Sequence, residues 1–313
     1  MRALRSLLCA AGMVLLVAAP AASAPTSSDP PTAADAAARW LVDQMRTDGF
    51  LPSAFVPGTP DMGSTAQAIP ALAAAGVGGA QAQTMLDALG AQVEDFVVIG
   101  GVDNPGNLSY LILAATALGD DPTSFGTGNT NLVARLQALQ TPSGLYGSAD
   151  PSFDGAFRQG LALMALDAAG VADPDGANWL ADQQCADGSW TPFRTDTSVP
   201  CPPVDPVNFT GPDTNSTALA LLGLQAAGVN SPLADGVTAL DNVRTSEGGW
   251  GFLADSGQAT DANSTGLVVE AMHAVNGGSD AQGTAALLAL QSGCDADPLD
   301  RGGIAFQPGP GGS

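Results

Sequence analysis

Two segments of the chain open alike, Asp213-Thr-Asn215-Ser-Thr and Asp261-Ala-Asn263-Ser-Thr, each just ahead of a long apolar run. An aspartate three residues before a serine can accept that serine's backbone N–H, so both read as helix N-caps on the positive end of a helix dipole. Glu270 stands in the middle of the second run, DANSTGLVVEAMHAVN, and a carboxylate inside an apolar helix needs a reason. Glycan hydrolysis needs two facing carboxylates. The other acid in such a run is Asp167, near a helix end. Glu270 is therefore the single catalytic candidate, weighed against a carboxylate bonded to backbone or arginine. Arg158 is the only arginine in these apolar segments. It suits an anion at a rim of helix N-termini, or an ion pair with Asp154 four residues earlier.

Metal chemistry finds little support. His273 has no spaced partner and suits a helix C-terminus. Asp295, Asp297 and Asp300 lack the ligand spacing of a calcium loop and read as an acidic turn. No cofactor is expected. Cys185 and Cys201 bracket a proline-rich stretch, and a disulfide is preferred there over a pair of metal ligands. Cys294 is left over. The sequons at Asn107, Asn208, Asn215 and Asn263 fall mostly at helix starts, where capping explains them.

The 313 residues carry no lysine, nine arginines and 31 acids, a formal charge of −22. That balance cannot release counterions from nucleic acid or draw the chain to an anionic membrane. Residues 1–24 have two arginines, an apolar core and an Ala-Ser-Ala ending, the pattern of a cleaved secretory signal, and 25–32 read as a linker. The expected product is exported and acidic, either free outside the cell or associated with the cell wall.

Positioning these residues falls to a repeat. One unit is an amphipathic helix ending in glutamine, then a glycine turn and an aromatic, as in WLADQQCADGSW (179–190) and LVARLQALQTPSGLYG (132–147). Gln44, Gln92, Gln140, Gln184, Arg244 and Gln291 are its anchors, spaced by about 48 residues, with a longer interval at the Pro-rich insert 191–212. Between these units lie small-residue helices that are apolar nearly all round, which implies neighbours on every side. The domain spans 33–306, all-α, with outer and inner helices alternating, followed by a disordered tail at 307–313.

The Gln-x-x-x-Gly-x-Trp ending of QQCADGSW (183–190) resembles the QW repeat of squalene and terpene cyclases. Protein prenyltransferases and cobalamin carriers are similar at the level of fold, and secreted bacterial prenyltransferase/squalene oxidase repeat proteins more closely. The resemblance covers roughly residues 33–306 and implies an (α/α)6 toroid with six inner helices. It implies an Asp-x-Asp-Asp-Thr acid at an inner-helix start for a class II cyclase. At that place DTNST (213–217) and DANST (261–265) carry Asn215 and Asn263, and an amide has no proton to give. Cyclase cations also need aromatic walls. Of sixteen aromatic residues only Tyr110 and Phe157 lie on inner helices. The prenyltransferase zinc ligands are not matched.

These readings favour a non-catalytic toroid that binds a small molecule, a glycan or a surface partner in its cavity or rim. Arg158, Asp213, Asn215, Asp261, Asn263 and Tyr110 are its candidate contacts. The alternatives are a cyclase/prenyltransferase-like or glycan-active toroid enzyme, and a cobalamin-carrier-like binder. Six outer but five inner helices are counted, so the ring should lack its twelfth helix. The expectation is then a fragment of a longer protein or an open ring, with an apolar seam along the first and fifth inner helices.

Overall fold

The computed structural model describes residues 32–148 and 155–308. The signal and most of the linker, Asp154, and the last part of the tail lie outside them. Five helices form an inner layer: α2 (Met62–Ala75), α5 (Pro105–Leu118), α7 (Ala156–Ala168), α9 (Thr214–Ala226) and α11 (Ala262–Asn276). Six lie outside: α1 (Ala33–Gln44), α3 (Gly79–Ala91), α6 (Leu132–Gln137), α8 (Pro174–Asp182), α10 (Leu233–Asn242) and α12 (Ala281–Ala289). A short α4 (Val93–Val97) follows α3, and two-residue hairpins, β1/β2 (Leu51–Pro52, Pro60–Asp61) and β3/β4 (Val98–Ile99, Val102–Asp103), lead into α2 and α5. The inner helices pack in chain order, α2 on α5, α7, α9 and α11 in turn, with an outer helix behind each. This is an α/α toroid.

Local sequence sets the helix ends. Asp61, Asn104, Asp213 and Asp261 each accept an N–H of their own helix's first turn, while Gly76, Gly119 and Gly277 close α2, α5 and α11 in the left-handed conformation. On α9 every residue from Ser216 to Leu224 is buried, as an inner helix requires. Small residues let these helices approach closely. A Cβ on Gly160 of α7 would lie 2.2 Å from the Leu219 carbonyl oxygen of α9.

The repeat anchors join consecutive outer helices. Gln140 Nε2 donates to Asp173, the N-cap of α8 (2.9 Å). Gln184 Nε2 donates to its own turn at Gly188 O and to Pro232 O at the start of α10. Arg244 bonds Gly248 O and Asp280, the N-cap of α12, and lies 4.0 Å from the centroid of the Trp250 ring. Buried Trp190 and Trp250 donate Nε1 to Leu180 O and Leu240 O, both at 2.8 Å. Gln44 and Gln92 make no such tie.

The same device closes the outer wall. Gln291 Nε2 donates to Ala33 O (2.7 Å) and Gly302 O (3.0 Å), and Trp40 Nε1 donates to Leu299 O (3.0 Å). Gly302 backs onto Ala36 so tightly that a Cβ would sit 2.4 Å from its carbonyl oxygen. Among the described residues no sixth inner helix follows α12, as counted. The apolar seam is a different matter. No large exposed apolar side chain of the described residues lies on α2 or α11. The expectation of a greasy edge there is corrected: the large apolar side chains Ile69, Leu72, Leu267, Val268, Val269 and Met272 are buried, and the turn after α12 docks on α1.

Candidate functional site

An outer helix carries the chain back after each inner one, so all five inner helices start at the same end. In their first two turns they keep half-buried residues: Gln67, Tyr110, Phe157, Arg158, Asn215 and Gly266. One layer further in, each is buried over several successive residues. These half-buried residues mark the N-terminal end of the inner ring, ahead of a packed layer.

Tyr110 and Arg158 are brought together. Arg158 lies over the first turn of α5, where a Cβ on Gly106 would be 3.6 Å from its Nε. Burial pushes the Tyr110 hydroxyl up to about 12, against the opposing pull of the Arg158 charge. The proposed Asp154 partner of Arg158 lies outside the described residues.

The rim differs from expectation in one respect. The first N–H of three inner helices is taken: Ala156 N donates to Pro192 O, Thr214 N to Phe252 O and Ala262 N to Phe306 O. The segments that follow α8, α10 and α12 each lend a carbonyl to the preceding inner helix, so the first N–H of α7, α9 and α11 is not open to an anion.

Asp213 and Asp261 serve as caps. Asp213 Oδ1 accepts from Ser216 N (2.6 Å), and Asp261 accepts from both Ser264 N (2.7 Å) and its hydroxyl (2.9 Å). They are not alike beyond that. Asp213 is 1% exposed and its Oδ2 has no partner, so burial pushes its carboxyl up to about 6. Burial also raises Asp261. Asn215 is half-buried and Asn263 exposed, each one residue into its helix.

Glu270 departs from its bonded reading. It is 9% exposed, makes no hydrogen bond or ion pair, and its Oε2 is buried without a partner. Thr265 bonds Trp250, and Met272 lies against Arg244, so those residues mark the outer-facing side of α11. At about 100° per residue, Glu270 points well away from that side, toward the ring interior. Desolvation raises its carboxyl well above the usual range, favouring the neutral form. Asp167 is raised by burial too, but sits at the far end of α7.

The remaining candidates are structural or peripheral. Cys185 and Cys201 form a disulfide, and Cys294 is exposed and free. His273 Nδ1 is 3.2 Å from Gly278 O at the end of α11. No cluster of metal-ligating side chains occurs among the described residues. Sequence reasoning missed Trp179, Phe193 and Gln183, which line an open cavity of about 580 Å³ outside the ring. The doubled glutamine of DQQC was the available signal, since only Gln184 is used in the outer-wall tie.

The alternating inner and outer helices make an α/α toroid of the terpenoid cyclase-like fold. The ent-copalyl diphosphate synthase from Streptomyces platensis superposes with a TM-score of 0.54 at 20% identity, over 86% of this chain and 48% of that one. The chain thus spans about half the length of that synthase. A crystal structure of a protein from Actinoplanes matches with a TM-score of 0.54 at 16% identity, over 81% of this chain and 78% of that one. No protein-family model matches the chain, and no curated protein sequence does.

Proposed function

We propose that the protein is an exported, non-catalytic toroid that binds a small molecule at the N-terminal end of its inner ring. One observation carries the reading: Glu270, a buried carboxyl with no partner, faces the ring interior. Leaving such a group unsatisfied costs about 1–3 kcal/mol, and a bound ligand's polar atom would offset it. Above it the half-buried Tyr110, Phe157, Asn215 and Arg158 supply rings, an amide and a cation. Export is supported by the Cys185–Cys201 disulfide and by the leader-like start of the sequence. No helix among the described residues is long and apolar enough to cross a membrane. The glycan or surface partner, and the cobalamin-like ligand, remain narrower variants of the same reading.

A second reading has its own support. A desolvated carboxyl whose pKa burial has raised, as at Glu270, is what a general acid requires, so an isoprenoid- or glycan-active enzyme stands as the alternative. Against it, Asn215 and Asn263 occupy the positions where the cyclase motif has its acid.

The test is native mass spectrometry of the protein from its natural secretion medium, beside Glu270→Gln. A copurifying small molecule that the variant loses supports the binder. Incubation with polyprenyl diphosphates, squalene and oligosaccharides runs in parallel. Turnover by the wild type that Glu270→Gln abolishes would replace the binder with the enzyme.

A further inference from the structure

The cavity of about 580 Å³ on the outer wall is independent of the N-terminal end of the inner ring. It lies between the outward face of α8, the turn at Pro142–Leu145 and the start of the Pro-rich insert. From this pocket we infer a second binding site, for an uncharged sugar ring of a glycan.

Its floor is an aromatic platform. Trp179 of α8 and Phe193 of the insert are stacked, with centroids 6.2 Å apart and planes within 22°. Near-parallel stacked rings cover one another's inner faces and leave an outer ring face as the flat apolar surface. They do not wall in a ligand from several sides, as the recognition of a quaternary ammonium by crossed rings requires. A flat apolar surface suits the C–H face of a pyranose.

The polar groups around the platform are the kind that hydroxyls need. Asp175, Asn178 and Asp182 lie on the exposed face of α8, spaced three and four residues apart, and bring carboxylates and an amide to the same cavity. Gln183 is 4% exposed, yet only its Oε1 is used, accepting from Arg194 N (3.2 Å). Its Nε2 has no partner in the chain. A buried amide with a spare donor at a cavity wall is a hydrogen-bonding group awaiting an acceptor.

Charge rules out the anionic alternative. Arg194 is the only cation lining the cavity, and its two Nη atoms already donate to the carbonyls of Gln183, Gln184, Thr197 and Val199. Its role is to hold the insert in place, together with the Cys185–Cys201 bridge. A cavity held open by such ties loses little ordering entropy on binding. The volume falls within the usual range for small-ligand sites and accommodates more than one sugar ring.

The experiment is calorimetric and fluorescence titration of the whole protein with neutral oligosaccharides: β-linked glucose, α-linked glucose and N-acetylglucosamine oligomers. Tetramethylammonium is titrated as the cationic probe. Binding of at least one oligosaccharide is expected, with a change in tryptophan emission. Asp182→Ala, an exposed change that leaves the core intact, and Gln183→Leu should each weaken it at least tenfold. Trp179→Ala should abolish it, with circular dichroism confirming the fold. Glu270→Gln should leave it unchanged, since that residue lies in the ring. Absence of binding to every oligosaccharide at millimolar concentration would overturn the inference. So would binding of tetramethylammonium alone, or sugar binding indifferent to both Asp182→Ala and Gln183→Leu.

Discussion

Replacing Asp213 by asparagine should stabilise the protein at neutral pH and leave its stability in mild acid nearly unchanged. The cap survives, because asparagine accepts the Ser216 N–H as well as aspartate does. What changes is the titration. The folded-state carboxyl sits at about 6, above its ordinary 3.8, because burial outweighs the capping hydrogen bonds. The folded chain therefore holds the proton more tightly than the unfolded chain. Its stability falls as pH rises from about 4 through about 6, and the loss is complete above that. A shift of about two units corresponds to about 3 kcal/mol. Urea unfolding of wild type and Asp213→Asn from pH 4 to pH 8 measures it. The two should coincide near pH 4 and diverge to about 3 kcal/mol in favour of the variant by pH 8. A difference that stays flat with pH would show that Asp213 ionises normally in the fold, and the burial argument would fail.

Glu270→Leu removes a second buried acid and should raise stability at pH 7 by about 1–3 kcal/mol, read from the urea midpoint; a destabilised variant would mean that the carboxyl has a partner. Its folded-state value is raised like that of Asp213, so the gain should likewise shrink toward acid pH. Losing the Cys185–Cys201 bridge by Cys201→Ala should cost about 3 kcal/mol on the chain-entropy estimate, or expose residues 191–212 to protease before global unfolding. Unchanged unfolding and proteolysis together would remove the bridge's structural role. Gly160→Ala should lower the melting temperature, since its Cβ meets the Leu219 backbone of α9 and helices α7 and α9 must part, at about 1–3 kcal/mol. Gly266→Ala, with open space at its Cβ, should be neutral or mildly stabilising, and equal effects at the two glycines would contradict the packing argument.

The all-α class, the alternation of outer and inner helices and the caps at Asp213 and Asp261 were legible in the sequence, because each rests on interactions within a few residues. Small-residue runs declare that a helix has neighbours all round, and Asp-x-x-Ser declares where it starts. The short spacing of Cys185 and Cys201 was enough to pair them. Residues far apart in the chain behave differently. Gln291 reaches Ala33 across the whole ring, and nothing local to either residue states that contact. Nor does the sequence state that the large apolar side chains of α2 and α11 are buried, which leaves no apolar seam on them. Glu270 and Asp213 carry the same side-chain chemistry as any exposed acid. Only packing from neighbouring helices strips their water and leaves an oxygen without a partner. Nothing local to α7, α9 and α11 states that their first N–H groups donate to the distant carbonyls of Pro192, Phe252 and Phe306. Trp179 and Phe193 are separated by the glycine turn of a repeat and meet only once the insert folds back. Helical periodicity is encoded in consecutive residues, whereas burial and partnership are properties of what the rest of the chain brings alongside.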